Sequence, residues 1–305
     1  RYPSTRDRLG MRVVAVVGGT GKQGGGLCDA LLQLSDADIQ VRVLCRNLES
    51  PEASRLRQLG ATLFRGDLED TAAVGTFLQG ANTVFSNLDY WTLGREKEVE
   101  VGKHLVDAAK RAGVDHFVYS TLEPCSKASN GALPCAWFDS KEDIAEHLRA
   151  SGLRFSMVKF STYMENFLDG HTKVVRDEAT GDYVFRYPLG PGGKLTLVPV
   201  RDAGRVICQV VRNPEVYAGK TVGLAGDHLS GDEIVATFKT VTGNQARFED
   251  VPLETVREKN PDGANMWEFK RLHEDTMARY VTESRAIVPD ILSLADWLRA
   301  NWPKH

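Results

Sequence analysis

Apolar positions along this chain gather into short runs rich in β-branched residues, separated by stretches with helical spacing. The first run, Arg-Val-Val-Ala-Val-Val at Arg12–Val17, follows a polar opening, residues 1–10, that has no periodicity and reads as a disordered lead. Further runs stand at 41–45, 62–64, 83–85, 116–120 and 155–160. Nearly continuous apolar strands alternating with helices predict a doubly wound α/β fold, a parallel sheet covered on both faces. Between the fourth and fifth runs, the helix expected over 96–112 places Val99, Leu105, Val106 and Ala109 on one face, and Gly113 stops it.

The alternation changes after Phe167. The runs Tyr183–Tyr187 and 195–198 flank a Pro-Leu-Gly-Pro-Gly-Gly turn and predict a hairpin, while 202–212, 230–242, 262–280 and Leu294–Asn301 read as helices. The expected organisation is a main domain over 11–167 and a smaller α+β C-terminal lobe over 168–305, with some later strands returning to the main sheet.

Composition adds exclusions. With 42% hydrophobic and 26% charged residues over 305 positions, the chain is an ordinary globular sequence. A net charge of −3 gives no electrostatic reason to expect nucleic acid as the main partner, although it leaves room for local basic patches. No apolar run approaches the roughly 20 residues of a membrane span, and the opening lacks the apolar centre of a secretory signal, so no membrane partner is expected and the location is read as cytoplasmic. Cys28, Cys45, Cys125, Cys135 and Cys208 show no paired or zinc-ligand spacing and read as buried apolar residues in a reducing compartment. The seven histidines show no metal spacing either.

The strongest chemical signal directly follows the first strand and opens the first helix: Gly18, Gly19, Thr20, Gly21, Lys22 and Gln23, then three more glycines. A tight turn at Gly18 and a missing side chain at Gly21 let backbone N–H groups approach a pyrophosphate, and Gly24 permits close helix–strand packing. In this strand–turn–helix context the run, with the spacing GxxGxxG, reads as the phosphate loop of an NAD(P)-binding Rossmann fold, against the competing reading of a flexible glycine-rich turn with no ligand.

The end of the second strand meets the adenine ribose, and Arg46 stands there. A guanidinium suits the 2′-phosphate of NADP, whereas an acidic residue would suit NAD. Asp36 and Asp38 precede that strand, in its connecting turn. A solvated surface arginine is the competing reading for Arg46. Asp67, after the third strand, is placed to meet the adenine edge or to cap a helix over 69–78.

The glycine run, Arg46-Asn47, GDLED at 66–70, DYW at 89–91, FDSK at 138–141 and YMEN at 163–166 together resemble the NmrA-like family of atypical short-chain dehydrogenase/reductase proteins, closest to its HSCARG-type redox-sensor branch. The resemblance runs from Met11 to the terminal Leu-Ala-Asp-Trp segment. It implies an NADP(H)-binding domain with a smaller lobe, and cofactor contacts at the glycine loop, Arg46, Asp67, Leu68, Leu88, Asp89, Tyr90, Lys141, Tyr163, Met164, Glu165 and Asn166. The chain departs from that branch at Glu100, near a lysine contact, at Leu88-Asp89, which replaces Thr-Asn, and at Glu49 and Ser50, where further basic residues would follow Arg46.

Short-chain dehydrogenases need Tyr-x-x-x-Lys, the lysine lowering the phenol pKa and the tyrosine exchanging a proton with substrate. Here Lys141 is preceded four residues earlier by Trp137, whose indole donates only. No catalytic residue is therefore assigned. Ser120 and Thr121 suit either a ligand or the strand end, Lys141 either ribose or solvent, and Tyr163 either a packed aromatic or a substitute proton donor. The leading expectation is a redox-sensing regulator; the alternative is an NADPH-dependent reductase of a quinone-like or other electrophilic small molecule. A homodimer, a regulatory protein partner, or a small ligand beside the nicotinamide would complete either.

Overall fold

The computed structural model describes residues 11–34, 38–169 and 174–303, so the predicted lead at 1–10 and Asp36 lie outside the described residues. The first part of the chain runs β1 (Arg12–Val17), α1 (Lys22–Leu32), β2 (Ile39–Cys45), α2 (Pro51–Gln58), β3 (Thr62–Arg65), α3 (Thr71–Leu78), β4 (Thr83–Ser86), α4 (Tyr90–Arg111) and β5 (His116–Thr121). There follow α5 (Cys125–Ala128), α6 (Ala136–Ala150), β6 (Phe155–Phe160), β7 (Thr162–Tyr163), α7 (Asn166–Asp169), β8 (Val174–Arg176), β9 (Tyr183–Tyr187) and β10 (Lys194–Val198). The remainder is α8 (Val200–Arg212), α9 (Pro214–Tyr217), β11 (Thr221–Leu224), β12 (Asp227–Ser230), α10 (Gly231–Thr242), β13 (Ala246–Asp250), α11 (Leu253–Lys259), α12 (Pro261–Leu272), α13 (Glu274–Ile287) and α14 (Leu294–Asn301).

Among the described residues, seven strands form one sheet in the order β11-β6-β5-β4-β1-β2-β3, and its recorded pairs are parallel. This is the Rossmann-like α/β architecture that the alternation predicts. The chain divides into two compact units, each built from three segments: 1–120, 144–156 and 207–220 in the first, 121–143, 157–206 and 221–305 in the second.

In the first unit β1 is buried from Val13 to Val17, and Val41, Val43, Val84, Phe85, Phe117 and Val118 continue its core across the neighbouring strands. Burial on both sheet faces explains why these strands are apolar without alternation. Register sets Val14 against Val41 and Thr83, so β1, β2 and β4 end at one edge of the sheet. Helix α4 begins at Tyr90, earlier than the predicted 96, because Asp89 caps a first turn that Gly94, at φ 73° and ψ 170°, breaks from the rest.

The second unit holds a core of Phe167, Phe185, Leu197, Ile234, Phe238 and Trp297, among others. Two expectations fail here. The segments β9 and β10 do not form a hairpin: β9 lies between β8 and β13, and β10 between β7 and β12, so both edges of each strand are filled by other partners. The single helix expected over 262–280 is two, α12 and α13, broken at His273, whose φ of −119° and ψ of 32° leave the helical range. By contrast Ser230 caps α10 and α14 spans the predicted residues. All five cysteines are buried, and burial pushes the Cys208 thiol up to about 11 and Cys135 up to about 12.

Candidate dinucleotide site

At the C-terminal edge of the first unit the chain leaves β1 through Gly18, whose φ is 76°, into a turn closed by Gly21 N–H donating to the Gly18 carbonyl at 3.0 Å. A Cβ on Gly18 would lie 2.7 Å from the Asn87 carbonyl oxygen, and one on Gly24 would lie 2.4 Å from the Gly18 carbonyl oxygen. On Gly19 it would meet the Val43 side chain at 2.6 Å. Packing, as well as ligand approach, therefore demands glycine at these positions. The motif's density has a local cost, since α1 carries three glycines in its first turns where each weakens a helix by about 1 kcal/mol.

Gly21 is the N-cap of α1, with no side-chain cap and no acidic residue in the first turn. Helices α2, α3 and α4 instead receive the side chains of Ser50, Asp70 and Asp89. The start of α1, with its positive dipole end, thus carries no capping side chain and suits an anion, next to exposed Thr20, Gly21 and Lys22. These residues form a cradle whose shape and polarity fit a pyrophosphate.

The other first-unit positions lie on the same edge. Arg46 follows Cys45 at the end of β2 and is exposed. Gly66 N–H donates to the Cys45 carbonyl at 3.1 Å, which fixes the segment carrying Asp67 and Leu68 beside the end of β2. Asp67 does not cap the following helix: its carboxylate accepts from Glu69 N–H, and Asp70 caps α3 through the N–H groups of Ala72 and Ala73. Leu88 is buried, Asp89 caps α4, and Tyr90 stands edge-on to Trp91. Gln23 is buried, and its side-chain carbonyl accepts from the Ser120 hydroxyl at 2.6 Å. That bond ties α1 to the end of β5 and engages the serine position of dehydrogenases. Glu100 is exposed and paired with Lys97 at 3.2 Å.

Sequence reading passed over Asn87. The register pairs Val17 with Ser86, so Asn87 follows β4 where Gly18 follows β1, and its carbonyl forms the opposing wall. Strand register, once known, is the signal that finds it.

In the second unit, Lys141 on α6 is buried rather than solvated, and Trp137 packs with Phe138 against a cluster containing Cys125, Cys135 and Phe269. Asp139 of the same motif holds the 125–135 segment, accepting from Ser126 N–H at 3.0 Å and Cys135 N–H at 2.9 Å. Tyr163 lies in β7, beside Val198 of β10, and Asn166 opens α7. Met164 is fully buried in the core, and the Glu165 carboxylate accepts from Val200 N–H at 3.0 Å and the Trp297 indole at 3.3 Å. Among the described residues no cluster of histidine, cysteine and carboxylate is arranged for a metal, and no helix is long and apolar enough to cross a membrane.

The chain is similar to known proteins in sequence and in fold. The NmrA-like family domain-containing oxidoreductase lnaB of Aspergillus flavus is 31% identical over 255 residues, 79% of this chain and 76% of that protein. The structure of NmrA, a negative transcriptional regulator, in complex with NADP superposes with a TM-score of 0.78 at 22% identity, covering 96% of each chain. That of the NADPH-dependent quinone oxidoreductase QOR2 of Escherichia coli, complexed with NADPH, does so with a TM-score of 0.73 at 21% identity over 94% of this chain and 99% of that one. At these identities the two structures establish the fold. The NmrA-like family model matches residues 11–297, nearly the whole described chain, and the chain belongs to that family.

Proposed function

We propose that this protein binds NADP(H) at the edge formed by β1, β2 and β4 and acts as a redox-sensing regulator. The observation that carries the reading is the start of α1, with glycine as its N-cap and no capping side chain, together with an exposed Arg46 at the end of β2. The cradle takes the pyrophosphate, Arg46 takes the 2′-phosphate, and Asp67 and Leu68 flank the adenine. When bound, the dinucleotide supplies a nicotinamide that can carry a hydride. The chain's own part is to hold it and to register its presence.

The regulatory reading is supported by the missing acid–base group. Trp137 and Lys141 share α6 at the Tyr-x-x-x-Lys spacing, and an indole cannot exchange the proton that alcohol–carbonyl chemistry requires. A structural relative described as a transcriptional regulator in complex with NADP favours the same reading. A second reading, an NADPH-dependent reductase of an electrophilic small molecule, is favoured by the naming of the Aspergillus relative as an oxidoreductase.

Calorimetry with NADP⁺ and NAD⁺ tests the cofactor assignment. Arg46→Ala removes a charge-assisted contact worth about 1.5–3 kcal/mol, so NADP⁺ affinity should fall about 10- to 150-fold while NAD⁺ affinity stays unchanged. Equal losses for both would refute it. Steady NADPH consumption with a panel of quinones and dyes would decide for the reductase over the regulator.

A further inference from the structure

Arg55 on α2 holds two carboxylates at once. Its Nε donates to both oxygens of Glu52, at 3.1 and 3.0 Å, its Nη2 donates to Glu52 Oε1 at 2.6 Å, and its Nη1 donates to Asp29 of α1 at 2.7 Å. All three side chains are partly exposed, Arg55 by 40%. Ion pairs at that exposure add little to folding stability.

The place of Glu52 gives the pair another use. A Cβ on Gly25, in the opening turn of α1, would lie 3.4 Å from the Gly19 carbonyl oxygen and 3.6 Å from Glu52 Oε1. The carboxylate therefore borders the glycine loop. It also stands in the first turn of α2, six residues after Arg46. The adenine ribose of a bound dinucleotide lies between these two segments, the loop after β1 and the residues that follow β2. A second carboxylate, Glu49, belongs to the same connection, and Arg57 of α2 pairs with it at 3.8 Å. Two carboxylates thus flank the segment carrying Arg46, each paired with an arginine of α2. Asp29 stands two turns along α1, about 10 Å from its start by helix rise, which leaves Glu52 as the Arg55 partner nearest the loop.

NADP differs from NAD by a phosphate monoester on that ribose, which carries about −1.5 to −2 charges at neutral pH. A bare carboxylate beside it repels the phosphate, whereas it can accept from the 2′-hydroxyl of NAD. We propose that Arg55 is a specificity-determining residue: by holding and neutralising the Glu52 carboxylate, it lets the site admit the 2′-phosphate of NADP(H). Arg55 acts through Glu52 and does not touch the cofactor. The inference rests on the dinucleotide reading above and adds a positioning residue to the phosphate contact assigned to Arg46.

Calorimetry on the full chain with NADP⁺ and with NAD⁺ compares wild type, Arg55→Gln, Glu52→Gln and the double variant. Arg55→Gln should weaken NADP⁺ about fivefold and leave NAD⁺ within about twofold, the retained NAD⁺ affinity also showing that the variant folds. Adding Glu52→Gln to Arg55→Gln should restore NADP⁺ affinity to within about twofold of wild type, since no charge is then left to neutralise. Glu52→Gln alone should not weaken NADP⁺. In about 1 M NaCl, where the Debye length falls to about 3 Å, the difference between wild type and Arg55→Gln should shrink below about twofold. Equal losses of both nucleotides in Arg55→Gln, or a loss of NADP⁺ that Glu52→Gln does not repair, would mark Arg55 as a structural brace for α2 and overturn the inference. Unchanged NADP⁺ affinity in Arg55→Gln, or weaker NADP⁺ binding in Glu52→Gln, overturns it as well. In all these cases wild type still prefers NADP⁺ to NAD⁺. A wild type without that preference overturns the 2′-phosphate reading itself, and the role of Arg55 with it.

Discussion

His116 shows how much a single position can depend on neighbours that are distant in the chain. Its Nε2 lies 2.8 Å from the Ser156 hydroxyl, which donates its own proton to the Tyr217 carbonyl at 2.7 Å. The serine therefore accepts from the ring, Nε2 carries the hydrogen, and Nδ1 is left buried without a partner. Burial, then the charges of Arg154 and Arg12, lower the imidazole pKa from 6.5 to about 4. Because the folded value lies below the unfolded one, the unfolded chain takes up the proton first as pH falls. The contribution to stability is full above about pH 6.5 and is lost as pH falls through about 4, a change of about 3 kcal/mol. Urea denaturation of wild type and His116→Gln should therefore show a stability difference that shrinks by about that amount between pH 7 and pH 4. A pH-independent difference would exclude this titration. The apolar run at 116–120 announces a strand beginning at this histidine; its partner Ser156, 40 positions further along, and the Tyr217 carbonyl that orients that serine, were not legible.

At the scale of elements, legibility followed the range of the forces involved. Helix α10 was readable because its start is local chemistry: Ser230 accepts from Glu233 N–H at 3.2 Å, and Ser230 N–H donates to the Glu233 carboxylate at 2.8 Å. Those bonds hold the Glu233 carboxyl below its ordinary pKa. Ser230→Ala should cost about 1 kcal/mol in thermal or urea denaturation, and Ser230→Asp, which restores an acceptor, should recover most of it. The expected hairpin of β9 and β10 failed for the opposite reason. A Pro- and Gly-rich turn permits two strands to pair but does not oblige them to, and here β13 and β12, both further along the chain, take available edges of β9 and β10. The break at His273 likewise lacks a proline or glycine to announce it.

For the whole molecule the dinucleotide reading becomes a statement about stability, because a ligand that binds only the folded chain stabilises it by mass action. NADP⁺ at about 100 times its Kd should add about 2.7 kcal/mol to the free energy of unfolding. At the same concentration, a 10-fold or greater loss of affinity in Arg46→Ala should reduce the gain to about 1.4 kcal/mol or less, with the NAD⁺ effect unchanged. Thermal unfolding with each nucleotide checks both. The sequence by itself determined the strand–helix alternation, the phosphate loop at its start and the absence of the acid–base tyrosine, since each depends on residues adjacent or one helical turn apart. Only the tertiary structure decided which strands pair, that Asn87 rather than a more conspicuous residue faces Gly18, that Gln23 accepts from Ser120, and that Trp91 is exposed. Those outcomes depend on sheet register and on which groups burial brings together across long stretches of chain, and no local pattern of residue types encodes either.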